Sequence, residues 1–485
     1  MNKTMKYLSM AALALVGAVM TGCSKDDIVD IDQPGSNNVE RLTVVANLDG
    51  STTRTLTNEG VKTYAVGDKI AVVYKNTSGN TVKAESDALT DGDITGSGKS
   101  AKFTVTLTNP DKNVNVTYIY PAAMAKENGT VNYDALYNEQ DGTLATLGSK
   151  FDYCTFTGAW NGDKLPTADL TNELFVCEFT LKYSGASIND KVTAMTISDN
   201  ASRNYYVYRT PSNDPIYVAI IPTSNNDINY TAIADGKVYT KSVKGKTYAA
   251  GTMRPIILNM DQNNDLLPGL FSVSASKKVY FSKGNLQLVD ENSWKFADNQ
   301  WDCFGNTQAN NHRDLFGWGT GNNPNQTSED NNDYATFNDW GNNSNLQAQL
   351  GTGWRTLSND EWHYLFKTRT VKDGTGAGHS YTLGQSVNGR LGVVIYPDGY
   401  TGTLYTGSDW STFEAAGCVF LPAAGTRYGN KLDNTDKGYY WSSTPNYKFA
   451  FKAAYSVHIS DQLYTENSPF PRKDGQSVRL VHQVK

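Results

Sequence analysis

The chain has 485 residues, enough for two or three domains that each bury a hydrophobic core. Its formal net charge is -6 and it contains no block of Lys and Arg, which argues against nucleic acid as a partner, because phosphate binding needs clustered cations. The 29 Tyr, 9 Trp and 42 Gly, beside only 8 Met and 15 Pro, indicate a protein of strands and loops whose surface suits recognition more than catalysis.

Residues 1–22 have the pattern of a cleaved export signal. Two lysines supply a basic start, and Leu8 to Met20 form an uncharged apolar run that is too short to span a bilayer. Thr21, Gly22 and Cys23 follow the run, and small residues before a cysteine at this place resemble the lipobox of bacterial lipoproteins. The resemblance implies that Cys23 carries the acyl chains, palmitate among them, and becomes the mature N-terminus.

The segment after the cysteine predicts where the protein is carried. Ser24 to Asp27 resembles the acidic tag that takes Bacteroidetes-type lipoproteins to the outer face of the outer membrane. This implies a lipid-anchored protein on the cell surface. Residues 23–40 are predicted to be a flexible tether, because Asp26 to Asn38 is acidic, contains Pro34 before Gly35 and lacks a hydrophobic period.

Short runs with a period of two predict a β-sandwich over residues 41–262. Gly, Asn and Asp separate the runs, and no segment has a convincing helical stripe. Spaced short strands can bury their apolar faces only against a second sheet, which is the reason for predicting a sandwich. The predicted strands are Leu42 to Leu48, Lys69 to Tyr74, Phe103 to Leu107, Val114 to Tyr120, Leu174 to Tyr183, Val192 to Ile197 and Tyr217 to Ile221.

Three segments of this region resemble the fimbrillin-like families of Bacteroidetes, the subunits of surface pili. They are residues 53–55, residues 64–72 and the closing strands from Tyr239 to Leu258. The resemblance implies other fimbrial subunits as partners and a precursor that is cut after a basic residue beyond the first strand. A neighbour's strand then refills the emptied groove by β-augmentation. Arg54 matches the cleavage position best and Arg41 is the lesser candidate, while the alternative makes Arg54 a solvated loop charge.

A second domain is predicted over residues 266–485. Asp261 to Asp265 interrupts the period with polar residues and Leu266 restarts it, so the boundary is placed there. Eight of the nine tryptophans follow this point, which indicates a different fold. Ser358 and Glu361 form the Ser-x-x-Glu pattern of a capping box and predict a helix that runs to about residue 369.

Three segments of the second domain resemble, in order, the C-type-lectin-like fold of bacterial surface lipoproteins, which is shared with formylglycine-generating enzymes. They are residues 418–425, 438–444 and 476–481. The resemblance implies an α+β domain. Alternating apolar residues near the end of the chain predict a central strand, so the motifs Trp441 to Ser443 and Val478 to Val481 are interpreted as framework. In variable members of this fold, ligand contacts come from the stretch that corresponds here to residues 445–473.

Physical features of that stretch predict a mixed aromatic and amide binding surface. Alternation along residues 455–460 predicts that the odd-numbered side chains face the core and the even-numbered ones face outwards. A Tyr ring offers contact area at low entropy cost, and an amide both donates and accepts. The alternative is a Tyr- and Asn-rich loop without a ligand. The predicted ligand contacts are Asn446, Tyr447, Phe449, Ser456, His458, Ser460, Gln462, Tyr464, Asn467, Phe470 and Arg472.

The sequence predicts no catalytic site and no metal site. Formylglycine-generating enzymes use paired reactive cysteines, whereas Cys303 and Cys418 lie far apart, and the five histidines have no ligand spacing. Glu329 to Asp333 could wrap calcium but lacks the glycine of a calcium loop, so a solvated acidic loop is the preferred interpretation. Cys177 and Cys418 lie in apolar runs and are predicted to be buried free thiols.

Together these features predict a pilus-tip or minor fimbrial adhesin that binds a host, microbial or glycan ligand through its second domain. Val478 to Lys485 is expected to be used as a central strand of that domain, so it would not be donated to a further subunit. The alternative is a stand-alone outer-membrane surface lipoprotein that binds a glycan or a protein and never enters a pilus. A third hypothesis makes the second domain only a spacer or cap.

Overall fold

The computed structural model describes residues 38–48, 63–151, 153–305, 308–309, 311–371, 378–448, 452–465 and 469–483. The predictions for Cys23, Arg54, Phe449 and Asn467 lie outside these residues. Strands hold 47% of the chain and helices 12%, so the mainly β fold class is confirmed. No helix within the described ranges is long and apolar enough to cross a membrane.

The first eight strands form one sheet in the order β3-β2-β6-β7-β8-β1-β5-β4. The first strand lies inside this sheet, antiparallel to β5 and parallel to β8. Its alternate residues Val44, Ala46 and Leu48 are buried in a hydrophobic cluster on one face. The strands are β1 (Val39–Leu48), β2 (Ala71–Lys75), β3 (Thr81–Glu85), β4 (Ile94–Thr95), β5 (Ser100–Thr108), β6 (Val116–Tyr120), β7 (Cys154–Gly158) and β8 (Ala168–Asn172).

Nine further strands form two more sheets. One has the order β10-β9-β13 with β16 paired to β9, and the other has the order β12-β11-β14-β15-β17. Two short helices, α1 (Asp134–Asn138) and α2 (Leu144–Lys150), precede β7 and bury Leu136 and Leu147 in the hydrophobic cluster between these sheets. The strands are β9 (Phe175–Tyr183), β10 (Ala186–Ser187), β11 (Val192–Asp199), β12 (Asn204–Tyr208), β13 (Ile216–Ile220), β14 (Thr223–Ala234), β15 (Lys237–Tyr248), β16 (Met253–Asn259) and β17 (Asp261–Asn263).

The predicted strands of residues 41–262 are confirmed, but their arrangement differs from a single sandwich. One hydrophobic cluster is built from residues 44–170, and a second extends from Ala71 to Met260. A period of two identifies a half-buried strand without identifying its partner sheet, so the sequence pattern predicts one core where the structure has two. Helices α1 and α2 also interrupt the predicted all-β pattern, because five- and seven-residue helices are too short to develop a helical stripe.

After residue 265, the described part of the chain forms several small sheets and three short α-helices. The two largest sheets have the orders β18-β19-β34-β23 and β22-β33-β29-β30-β31, with β32 paired to β30 in the latter. The elements are β18 (Leu266–Ser272), β19 (Lys278–Ser282), β20 (Leu286–Leu288), β21 (Trp294–Phe296), β22 (Leu315–Phe316), α3 (Ser344–Leu350), β23 (Trp354–Arg355), α4 (Asn359–His363), β24 (Tyr381–Val387), β25 (Arg390–Ile395), α5 (Trp410–Ala415), β26 (Val419–Pro422), β27 (Thr426–Tyr428), β28 (Lys431–Asp433), β29 (Gly438–Asn446), β30 (Ala453–Ile459), β31 (Leu463–Tyr464), β32 (Pro469–Pro471), β33 (Gln476–Ser477) and β34 (Val481–Gln483).

The helix predicted from the capping box is confirmed as α4. The Ser358 hydroxyl accepts the Glu361 N–H at 3.2 Å, and the Glu361 carboxylate accepts the Ser358 N–H at 2.9 Å. These two bonds satisfy donors that have no partner within the helix. A π-helical turn over Tyr364–Thr368 then carries the helix to the C-cap residue Arg369.

The predicted domain boundary is not an open linker in the structure. Asp261–Asn263 pairs with β15, and only two residues separate it from β18. Beyond that point, Leu270 and Tyr280 share a hydrophobic cluster with Val238 of β15. The elements that follow residue 266 therefore pack directly against the sheet that precedes it.

The prediction of free thiols at Cys177 and Cys418 is confirmed. Both side chains are fully buried, and neither cysteine forms a disulfide. Burial raises the pKa of the Cys177 and Cys418 thiols, which keeps them protonated and unreactive at neutral pH.

Candidate recognition surface

Three aromatic side chains form a stacked column across three neighbouring strands, which we call the ring column. The register of β29, β30 and β31 pairs Tyr439 with His458 and His458 with Tyr464. Ring centroids of Tyr439 and His458 are 4.6 Å apart, and those of His458 and Tyr464 are 5.3 Å apart, with interplanar angles of 8° and 19°. Phe470 of β32 packs edge-on against Tyr439 at 5.1 Å. The structure therefore brings the predicted residues His458, Tyr464 and Phe470 together.

Tyr464 is the exposed end of the ring column. It lies on β31, the last strand of its sheet order, and its side chain is 40% exposed. Tyr439 at the other end is buried. Because the stack fixes the orientation of the Tyr464 ring, a ligand that contacts it meets a surface whose conformational entropy is already reduced.

The ring column carries an uncharged imidazole. Burial lowers the pKa of His458 and the nearby Lys437 lowers it further, whereas Asp461 acts in the opposite direction. An ordinary histidine titrates at about pH 6.5, so a lowered pKa keeps His458 neutral at pH 7. The surface at this point therefore offers aromatic contact rather than a positive charge.

Two further tyrosines extend the exposed aromatic area. The side chain of Tyr447, a predicted contact, is 83% exposed, and the Arg472 guanidinium lies 5.8 Å from its ring. Tyr428 is 46% exposed, and the Lys473 ammonium lies 3.6 Å above its ring. Sequence reasoning missed Tyr428 because it precedes the stretch 445–473. Gly429, which follows it with a positive φ, is the sequence signal of a hairpin turn that presents this ring.

Ser460 and Gln462 lie at the turn between β30 and β31. Gln462 is exposed, and the Ser460 hydroxyl donates to the Asp461 carboxylate at 2.9 Å. Both lie within a few residues of Tyr464, so they add polar groups beside the exposed ring of the column.

The prediction that Ser456 faces outwards is wrong. Its side chain is 2% exposed and donates to the Gln476 side-chain oxygen at 2.5 Å. Alternation along β30 is correct in part, since Val457 and Ile459 are buried in one core, whereas Tyr455 is partly exposed. The opposite face of β30 is covered by a second cluster that includes Ala454, so this face reaches solvent only near the end of the strand.

Asn446 and Arg472 are also buried rather than presented at the surface as predicted. The Asn446 side-chain oxygen accepts the Lys448 N–H at 2.8 Å and shapes the turn that carries Tyr447. The Arg472 guanidinium lies 4.2 Å from the Trp318 ring, and its N–H groups donate to three carbonyls. These are the carbonyls of Ala453 at 2.9 Å, Ala335 at 3.0 Å and Tyr334 at 3.3 Å.

The acidic segment that could wrap calcium uses its polar groups internally. The Asp330 carboxylate accepts the Asn332 N–H at 2.9 Å and caps a 3₁₀ turn, and Asp333 accepts from the Ser328 hydroxyl. Among the residues that the structure describes, no group of three or more His, Cys, Asp or Glu side chains could hold a metal ion.

Comparisons with known proteins find similarity to solved structures only. No family model and no curated protein matches the chain. A candidate cell-adhesion protein from Bacteroides fragilis is 12% identical, with a TM-score of 0.29, and the match covers 53% of this chain and 97% of that one. A fimbrial assembly protein from Parabacteroides distasonis is 10% identical, with a TM-score of 0.26 and coverage of 50% and 94%. The tip fimbrial protein Mfa3 from Porphyromonas gingivalis, in a C-terminally truncated form, is 10% identical, with a TM-score of 0.20 and coverage of 42% and 82%.

Proposed function

We propose that this protein is a cell-surface fimbrial adhesin, a binding protein rather than an enzyme. In this proposal Cys23 carries the lipid anchor of the precursor at the outer membrane, residues 41–262 form the fimbrillin-like body, and residues 266–485 form a C-type-lectin-like recognition domain. The observation that carries it is the ring column. Its fixed, exposed aromatic group lies beside polar side chains, and this combination is typical of recognition sites. Two of the similar structures come from fimbrial proteins, the class that we propose.

The position of β1 supports assembly into a fibre. It lies between β5 and β8, and its removal would leave an open slot in the sheet, lined by the cluster that now holds Val44, Ala46 and Leu48. A strand of a neighbouring subunit could fill such a slot with main-chain hydrogen bonds and alternate apolar side chains. Cleavage after Arg54 would release β1 from the C-terminal remainder of the chain. Cleavage at Arg41 would first require β1 to leave the sheet, because Arg41 pairs with Thr106.

The position of β34 supports a place at the end of a fibre. Val481–Gln483 pairs with β19 on one side and with β23 on the other. Both of its edges are therefore occupied within its own sheet. A segment held in this way is not free to complete a neighbouring subunit.

The processing step is tested by the N-terminal sequence of the protein isolated from cells. We expect the fibre-associated form to begin after Arg54, and we expect an Arg54→Ala variant to remain unprocessed and absent from fibres. Arg41→Ala is the matched control and should be processed normally. A mature chain that begins at Cys23 and retains β1 would favour the alternative, a stand-alone outer-membrane lipoprotein whose first sheet is closed by its own strand.

The recognition surface is tested by replacing two of its exposed tyrosines, Tyr447 and Tyr464, with alanine in the full chain. We expect adherence of the cells that carry the protein to a panel of host and bacterial cells to fall at least about tenfold, because aromatic anchors dominate binding energy. Export and thermal stability should be unchanged. The control is Tyr183→Ala, an exposed tyrosine on β9. Undiminished adherence of the double variant would support the hypothesis that the second domain is only a spacer.

A further inference from the structure

A second candidate binding site lies where the two halves of the chain meet. It is a cleft of about 790 Å³, which we call the junction cleft. One wall consists of Thr193 and Tyr208 with the turn at Asp235, and the other includes Tyr400 and Ala416. This volume is in the range of ligand-binding pockets. None of the surface residues discussed above lines it, and its lining residues extend from Asp190 to Ala416 along the chain, so only the tertiary fold brings them together.

Contacts between the two halves of the chain lie beside the junction cleft. The Thr196 and Tyr280 hydroxyls are 3.1 Å apart, and Lys278 Nζ donates to the Tyr208 hydroxyl at 3.2 Å. At one end the β14–β15 turn approaches α5 so closely that a Cβ on Gly236 would lie 3.2 Å from Ala415 Cβ. Because the two halves are packed together around it, the cleft is formed before the ligand arrives, which lowers the entropy cost of binding.

The lining offers fixed rings beside two exposed carboxylates. The Tyr400 hydroxyl donates to the Thr403 carbonyl at 2.7 Å, and its ring stacks on Tyr396 at 4.9 Å. Asp190 and Asp235 are exposed, and the described part of the chain supplies no hydrogen-bond donor to either carboxylate. Ring faces contact the C–H groups of a sugar, and carboxylates accept hydrogen bonds from its hydroxyls.

The main chain of the junction cleft does not offer an edge for an extended peptide. The Tyr208 N–H donates to the Gln140 carbonyl at 3.1 Å, and the Arg209 N–H donates to the Thr193 carbonyl at 2.9 Å. A peptide that adds as a strand needs such groups unpaired. The apolar lining residues Ile233 and Leu270 are themselves buried, so they do not form pockets for the side chains of a peptide.

The charges around the junction cleft favour a neutral ligand. Asp398 is compensated by Arg369 at 3.1 Å and by Lys278 at 3.6 Å. The other charged lining residues are two carboxylates, Asp190 and Asp235, and two cations, Lys191 and Arg209, so their formal charges cancel. A strongly acidic or basic ligand would therefore gain little net electrostatic attraction here.

We propose that the junction cleft binds a neutral oligosaccharide. An adjoining cavity of about 450 Å³ shares the lining residues Tyr208, Arg209 and Thr210 with the cleft and includes Tyr217, so the two cavities lie next to each other. This site is separate from the ring column and adds a second binding activity to the proposed adhesin.

The test is titration of the purified full chain with neutral hexasaccharides of glucose, mannose and xylose. The blocking variant is Ala416→Trp, because Ala416 is exposed at the rim and a Trp there would fill the cleft. We expect Ala416→Trp to lower the affinity for the hexasaccharide that binds best at least about tenfold. We expect Asp235→Asn to lower that affinity several-fold, because a charged acceptor is lost. The matched control is Ala186→Trp, an exposed position on β10 that should bind normally.

Each result supports or overturns the proposal. Thermal melting of Ala416→Trp shows whether the variant is folded, and Asp235→Asn gives a second measurement that alters no packing. Normal hexasaccharide binding by Tyr447→Ala with Tyr464→Ala would separate this site from the recognition surface. The proposal is overturned if no neutral hexasaccharide binds, if Ala416→Trp and Asp235→Asn bind as well as the parent chain, or if polygalacturonate or a basic peptide occupies the cleft instead.

Discussion

Replacing Trp441 with alanine is expected to lower the free energy of unfolding by about 3–5 kcal/mol. The side chain is 1% exposed and packs in one cluster with Phe316, Trp318 and Trp340. Its indole N–H donates to the Phe316 carbonyl at 2.7 Å. Alanine would leave both a large cavity and a buried carbonyl without this donor, and both effects destabilise the fold. Urea denaturation followed by circular dichroism measures the change.

Two variants separate the framework role of Trp441 from the recognition surface. Trp441→Phe keeps most of the ring volume and loses the N–H group, so it should cost about 1–3 kcal/mol. Tyr447→Ala removes an exposed ring and should change stability by no more than about 0.5 kcal/mol. We therefore expect Trp441→Ala to reduce stability and Tyr447→Ala to reduce adherence. Equal stability of the two alanine variants would contradict the framework role.

Individual strands could be predicted from the sequence because their physical signal is local. β1 and β9 alternate apolar residues with a period of two, and the structure buries those residues. The same holds for α4, whose capping box needs only Ser358 and Glu361, three positions apart. What these patterns lack is information on which sheet a strand joins, so the two cores before residue 261 could not be separated.

Buried polar residues explain the errors in the candidate site. Arg472 reads as a surface residue, but the carbonyls of Tyr334 and Ala335, more than 130 positions away, accept its hydrogen bonds. Ser456 likewise depends on Gln476, twenty positions away. A polar side chain is stable inside a protein when it is paired, and such pairs are created by the tertiary fold.

The junction was missed for the same reason. Along β11, Thr196 alternates with apolar residues and reads as a solvent-facing position, yet it is 3% exposed and bonded to Tyr280. The sheet of β11 is therefore covered on both faces, once by its own core and once by the elements after residue 266. A polar face that pairs across an interface has the same sequence pattern as a face that meets water.

Replacing Val238 with aspartate is expected to uncouple the two halves of the chain. Val238 is 1% exposed and packs with Leu266, Leu270 and Tyr280 in the cluster that spans the junction. Aspartate is similar in size, so its effect comes from a carboxylate that is buried without a partner, which costs several kcal/mol. We expect calorimetry to show that the two sides of the junction unfold in one main transition in the parent chain. In the variant we expect two separated transitions.

The matched control for Val238→Asp is Ile257→Asp on β16. Ile257 is 62% exposed, so a carboxylate at that position stays hydrated and the melting profile should be unchanged. If Val238→Asp also melts like the parent chain, side-chain packing does not hold the junction together. If its transitions separate, the elements after residue 266 are fixed on the preceding part of the chain by the sheet of β11 and β15. Force applied to a bound ligand would then pass through packed side chains, because the two residues between β17 and β18 leave no flexible linker to absorb it.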